Sequence, residues 1–188
     1  METLEFTDVN AQVVARCKEG DRKAQYELYK LYSKAMFNVS MRITNDYAEA
    51  EDVLQESFLS AFRELHTFKG DSTFGSWLKR IVINKAITKV RGRRLQVVPM
   101  EDHQEIAEES GNSVEEEEEM AYKVENIRRA IQKLPDGYRV VLTLYLLEGY
   151  DHGEIAETLG ISEATSKSQY SRARKKLLSF MKEEAFLA

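Results

Sequence analysis

The chain has 188 residues, 43% of them apolar and 31% charged, enough for one ordinary domain or two small ones with real cores. No apolar run approaches the ~20 residues of a membrane span, and METLEFTDVN lacks the basic patch and apolar stretch of a secretory signal, so a cytoplasmic protein is expected. Cys17 is the single cysteine, which excludes an intrachain disulfide and a cysteine-based zinc cluster and reads as a small buried side chain.

The net charge of −5 argues against a nucleic-acid partner until it is laid along the chain. Residues 1–94 hold 16 Lys and Arg against 13 Asp and Glu. Residues 95–120 hold 10 acids and no base, and residues 121–188 hold 11 bases against 9 acids. Two mildly basic parts are joined by a strongly acidic strip, which the whole-chain balance conceals.

Pro99 and Pro135 are the only prolines. Long proline-free stretches with a 3.6-residue apolar period predict an all-α protein. Helices are expected near 9–19, 21–44, 46–66 and 73–91, forming an N-terminal helical bundle over 1–94. Leu28, Leu31, Tyr32, Ala35 and Val39 mark one apolar face, Val53, Leu54, Phe58, Ala61, Phe62 and Leu65 the next, and Phe74, Trp77, Leu78, Ile81, Val82 and Ile87 the third. The stretch 95–120, with five consecutive glutamates, predicts a flexible linker that turns helical at its glutamate-rich end. The second domain, 121–188, opens with a helical pattern. Pro135 suits a helix first turn, and the helix it opens runs to about Glu148, with Gly149 free to take a left-handed cap. Asp151 and Glu154 form a capping box, Gly160 ends that short helix, and Ser162 caps a last helix running to about Lys182.

DHGEIAETLGISEATSKSQYSRARKKLL reads as a helix-turn-helix. Ala156 is small where the helices approach, Gly160 permits the positive φ of the turn, and Leu159 and Ile161 are expected to bury. The second helix carries Lys167, Ser168, Gln169, Arg172, Arg174, Lys175 and Lys176 and has the dimensions of a major-groove reader, its early turns toward base edges and its later ones toward phosphates. The plainer alternative is a basic surface helix of an ordinary bundle.

FGSWLKRIVINKAITKVRGRR holds Lys79, Arg80, Lys85, Lys89, Arg91, Arg93 and Arg94 and no acid. On a helix, Arg80, Asn84, Thr88 and Arg91 share one stripe behind the polar loop Lys69-Gly70-Asp71-Ser72. Nucleic acid and an acidic membrane surface both suit such a helix. Phe68, Phe74 and Trp77 offer faces for base stacking, although for Trp77 a core position is the preferred reading. The stretch from Asp46 to Glu56 is the converse, with Asp46, Glu49, Glu51, Asp52 and Glu56 and no base: a solvated face or a docking face for a basic partner. No catalytic set appears. His66, His103 and His152 have no metal spacing, and no phosphate-binding glycine loop or nucleophile elbow is present, so neither an enzyme nor a cofactor is expected.

Together these segments resemble the sigma-70 family, extracytoplasmic-function group, over about residues 10–94 and 121–182. DYAEAEDVLQESFLSAFREL resembles the helix that docks on the clamp helices of the polymerase β′ subunit. FKGDSTFGSWLKRIVINKA resembles the segment that captures and melts the −10 promoter element. LPDGYRVVLTLYLLEGYDHGEIAETLGIS and the helix after it resemble the domain that reads the −35 element and contacts the β flap. The resemblance implies a non-enzymatic sigma factor that binds core RNA polymerase and promoter DNA and is held by an anti-sigma factor. It places polymerase docking on Asp46, Glu49, Asp52, Gln55 and Glu56. It places −10 contacts on Lys69, Asp71, Ser72, Trp77, Lys79, Arg80, Asn84, Lys85 and Arg91, and −35 contacts on Thr165, Lys167, Ser168, Gln169, Arg172, Lys175 and Lys176. The acidic linker would thread toward the active-site cleft and imitate nucleic acid there.

Two positions depart from the family pattern. Primary sigma factors share an aromatic pair at the melting helix where this chain has Trp77-Leu78, which implies weaker melting and stricter promoter choice. Ser166 stands where an apolar residue is usual. Its spacing from Ala156 and Gly160 predicts a core position, its hydroxyl bonded to the Ser162 carbonyl, with Ser166→Val stabilising by cavity filling. The competing readings are an autonomous helix-turn-helix regulator, which leaves the acidic 46–56 stretch and the basic 69–94 stretch without a task, and a helical adaptor, against which the intact basic helices speak.

Overall fold

The computed structural model describes residues 10–94 and 117–187, with side chains over 10–93 and 124–182. The chain divides into two compact units, Met1–Arg93 and Arg94–Ala188. All regular structure among the described residues is helical.

The first unit contains α1 (Ala11–Lys18), α2 (Arg22–Thr44), α3 (Tyr47–Glu64), a 3-10 turn (Leu65–Thr67) and α4 (Phe74–Arg94). Local chemistry sets the helix ends. The Asp21 carboxylate accepts from the Lys23 and Ala24 amides at 2.8 and 3.3 Å, satisfying donors that the first turn leaves open. The guanidinium of Arg16 holds the same carboxylate at 2.6 and 2.9 Å and, by that hydrogen bond, lowers its pKa. α2 stops at Asn45, whose φ of 55° is the left-handed cap that asparagine tolerates. The next residue, Asp46, already caps α3 through the Glu49 amide at 2.9 Å. Two residues thus turn the chain, and α2 and α3 lie side by side.

Ser40 and Thr44, fully buried between them, donate to main-chain oxygens, including that of Ala50 at 3.2 Å and that of Asp46 at 3.2 Å. Leu28, Ile43, Val53, Phe58, Phe74, Leu78, Val82 and Ile83 form the core. Fully burying a side chain of this size stabilises the fold by roughly 1.5–3 kcal/mol. Gly75 lets α4 close on α2: a Cβ there would sit 2.8 Å from Cε1 of Tyr32. Cys17 is buried on the inner side of α1, and burial pushes its thiol up to about 11.

The second unit contains α5 (Glu117–Gln132), α6 (Asp136–Leu146), α7 (His152–Leu159) and α8 (Glu163–Leu187). α5 starts inside the glutamate-rich end of the expected linker; residues 95–116 of that linker lie outside the described residues. Ala130, Leu134, Leu142, Ala173 and Leu177 form a buried cluster, with Ile131, Tyr138, Phe180 and Met181 packed against it. Pro135 caps α6 from just outside it, and α6 ends at Leu146, short of the expected Glu148. Gly149 takes φ 77° beyond that end, and the Tyr150 amide bonds back to the Leu144 carbonyl at 3.0 Å. α8 runs five residues past the expected Lys182. Arg139 is buried at 3% exposure, where it donates to the Leu134 carbonyl at 2.9 Å and pairs with Asp136, tying the end of α5 to the start of α6.

Candidate functional site

α7 and α8 form the expected helix-turn-helix. Asp151 and Glu154 make a complete capping box at 2.8 and 2.9 Å, and Gly160 holds the left-handed φ of 60° that the turn requires. Ser162 caps α8 through the Thr165 amide at 3.0 Å. Ile155 is fully buried, while Leu159 and Ile161 are only half-buried.

Ser166 is fully buried, as its spacing predicts, but its hydroxyl partner is not the Ser162 carbonyl. It meets Nδ1 of His152, the first residue of α7, at 3.0 Å. The imidazole in turn stacks on Tyr145 of α6, centroids 4.6 Å apart and planes 16° apart, and Tyr170 closes the group against Tyr145 at 4.5 Å. Supporting helix and second helix are therefore joined by a polar contact.

With Ser166 as the inward pole, the outward row of α8 is Ala164, Ser168, Ser171 and Lys175, all exposed and spaced by four, three and four residues. Lys167 and Arg172 flank it, both exposed. Lys167 also bonds Glu163 at 2.6 Å, which raises its pKa through that hydrogen bond. Thr165 is half-buried and its hydroxyl lies 2.7 Å from that of Ser162; Gln169 is half-buried, on the flank rather than the outward row. Lys176 lies over the Phe180 ring at 5.8 Å. Ala164 and Ser171 were missed by sequence reading, which favoured charged and amide side chains; counting the helical period from the buried Ser166 would have found them.

In the first unit, Arg80, Asn84, Thr88 and Arg91 form one exposed row along α4, as expected. Lys69, Gly70, Asp71 and Ser72 are exposed, and Gly70 has φ 86°. Phe74 is fully buried and Phe68 nearly so, while Trp77 is half-buried with its ring 5.3 Å from Phe68 and 5.8 Å from Phe74. Leu78 lies wholly in the core, so of the pair Trp77-Leu78 only Trp77 reaches the surface. Lys79 is half-buried.

The acidic stretch and part of the basic one turn out to face each other. Glu49, Asp52 and Glu56 of α3 meet Arg93, Lys89 and Lys85 of α4 in antiparallel order, at 3.5, 3.1 and 3.8 Å. The hydrogen bond that Lys89 donates to the Asp52 carboxylate raises the pKa of Lys89. Arg93 also donates to the Thr44 carbonyl at 2.7 Å, a cation on the negative end of α2. Asp46 is engaged in capping, and Gln55 is exposed. Lys85, expected at DNA, and Glu56, expected at the polymerase, are thus partners in the free chain.

No described helix is long and apolar enough to cross a membrane. Family models described as Sigma-70 region 2 and Sigma-70, region 4 match residues 28–96 and 124–177. The chain is 34% identical over 171 residues to the RNA polymerase sigma-H factor of Pseudomonas aeruginosa, covering 87% of this chain and 89% of that protein. It is 30% identical over 169 residues to the ECF RNA polymerase sigma factor SigM of Mycobacterium tuberculosis, covering 89% and 82%. Among solved structures, the sigma factor RpoE of Bartonella quintana in complex with the anti-sigma factor NepR shares the fold, with a TM-score of 0.54 and 22% identity, covering 84% of this chain and 96% of that one. With both regions matched in order across two helical units, the chain belongs to the sigma-70 family of RNA polymerase sigma factors, in its extracytoplasmic-function group.

Proposed function

We propose that this sigma factor divides promoter recognition between its two units. The loop Lys69-Gly70-Asp71-Ser72 and the Arg80–Asn84–Thr88–Arg91 row would take the −10 element, and the outward row of α8 the −35 element. The family fixes the broader activity: the chain binds core RNA polymerase and directs initiation at promoters, and the chemistry of RNA synthesis belongs to the polymerase. The observation that carries the division is one exposed polar and basic helix row on each unit. Trp77, with its neighbour Leu78 inside the core, would be the single aromatic wedge at the −10 strand.

The α3 face Asp46, Glu49, Asp52, Gln55 and Glu56 would dock on the β′ clamp helices, and the second unit on the β flap. Exposed ion pairs such as Asp52–Lys89 are worth only about 0.2–1 kcal/mol each, so exchanging them for a basic partner costs little. The solved relative bound to an anti-sigma factor supports a similar antagonist for this chain. The place of work is where the polymerase is, in the cytoplasm. An autonomous helix-turn-helix regulator is not favoured, since it leaves the first unit without a task.

The test is reconstitution with core polymerase. Reversing Asp52 and Glu56 to Lys should weaken core binding about 10-fold or more, through steering and pairing at the docking face, with helicity unchanged. Full affinity in that double variant would remove the docking assignment.

A further inference from the structure

We infer that Lys18, the last residue of α1, is a positioning residue for the loop Lys69-Gly70-Asp71-Ser72 and thereby for discrimination among −10 sequences. The inference rests on the reading of that loop as a −10 contact. α1 precedes the region 2 match, which begins at residue 28. It is nevertheless an integral part of the first unit, seated through the buried Val14 and Cys17. Its C-terminal ammonium reaches fifty residues along the chain. Nζ of Lys18 donates to the Phe68 carbonyl at 2.7 Å and stands 5.5 Å from the centroid of the Phe68 ring.

Phe68 is the hinge from which the loop departs. It caps the 3-10 turn in an extended conformation, φ −68° and ψ 109°, with its amide bonded to the Leu65 carbonyl at 3.2 Å. Its ring also lies against Trp77 at 5.3 Å and Phe74 at 6.0 Å. The far end of the loop is fixed separately by Thr73, whose hydroxyl accepts from the Ser76 amide at 3.2 Å. Between these anchors all four loop residues are exposed.

The Phe68 carbonyl held by an ammonium, with its ring in contact with that ammonium and two aromatics, sets where the loop begins and how the Trp77 face lies beside it. A lysine can do this because one of its three N–H donors suffices for the carbonyl and the others stay in water. An exposed cation–π contact with a charge-assisted hydrogen bond biases the docked loop by roughly 5- to 10-fold.

The full chain with core polymerase is assayed on promoters that differ only in the −10 element. Lys18→Gln should narrow the ratio between the preferred −10 sequence and the next by about 3- to 10-fold, with −35 preference unmoved. Lys18→Arg, which keeps the cation and the donor, should restore most of that ratio. In the factor alone, amide exchange at Phe68 should quicken about 5-fold in Lys18→Gln and not in Lys18→Arg. Unchanged exchange overturns the inference whatever the loop reads. An equal loss on every −10 sequence, with a shallower salt dependence, also overturns it and makes Lys18 a phosphate contact. Asp71→Ala with Ser72→Ala isolates the underlying reading. If that pair leaves −10 preference untouched, the loop does not read the element and both assignments fall. If the pair shifts preference and Lys18→Gln does not, only the positioning role fails.

Discussion

Helices α4 and α8 both carry dense positive charge but hold it differently. On α4, Lys85, Lys89 and Arg93 are matched one for one by carboxylates of α3, and the row offered outward is the adjacent Arg80–Asn84–Thr88–Arg91. On α8, Lys167 pairs with Glu163, one turn back on its own helix. Arg172 and Lys175 are exposed and form no ion pair among the described residues. A base already paired must give up its carboxylate before it can displace counterions from DNA. A solvated base need not. Charge count along a helix is therefore a poor guide to electrostatic affinity, and the packing of the neighbouring helix corrects it.

The largest effect expected from this contrast is on salt dependence. Arg172→Ala with Lys175→Ala should lower promoter binding by the holoenzyme about 10- to 100-fold on every −35 sequence and take about 2 off the log–log salt slope. Lys85→Ala with Lys89→Ala should take off less than half as much. Titrations at several salt concentrations decide it, and equal slopes for the two pairs would erase the distinction.

The next effect concerns how α8 is held. Ser166→Val removes the hydroxyl that meets His152 and should lower stability by about 1 kcal/mol, read as a lower thermal midpoint of the full chain, with Ser166→Thr closer to the parent. A raised midpoint for the valine variant would show that filled volume outweighs the imidazole contact. The smallest effect is on the other side of the comparison. A double-mutant cycle of Asp52→Asn and Lys89→Met should give a coupling of about 0.2–1 kcal/mol that shrinks in high salt. No coupling at low salt would mean that the α3–α4 ladder does not hold these bases.

The boundaries around the helix-turn-helix were legible because their causes are local. Asp151 with Glu154, Gly160 and Ser162 each act within about one turn, and a single segment suffices to recognise them. The inward pole at Ser166 was legible for the same reason, from period and spacing. Its partner was not, since His152 stands fourteen residues away across the turn and the nearer Ser162 carbonyl is the obvious choice from one helix alone. The α3–α4 ladder was hidden because pairing depends on the register of two helices, which neither sequence segment contains. Arg139 was passed over for a related reason: its burial rests on a carbonyl five residues back that is freed only where α5 ends. Of the candidate surfaces, the exposed row on α4 was read from spacing, whereas the outward row on α8 was obscured by the assumption that long polar side chains must lead it.

Cys17 bears on how such a factor learns of its surroundings. With its thiol held near 11, only roughly one molecule in ten thousand carries the nucleophilic thiolate at neutral pH, and burial at 4% exposure blocks approach even to that fraction. Peroxide or a disulfide reagent would therefore meet an inert sulfur for as long as α1 stays docked. Oxidative or electrophilic stress therefore has no direct handle on the chain's one thiol, and a signal of that kind cannot enter through Cys17 without first undocking α1.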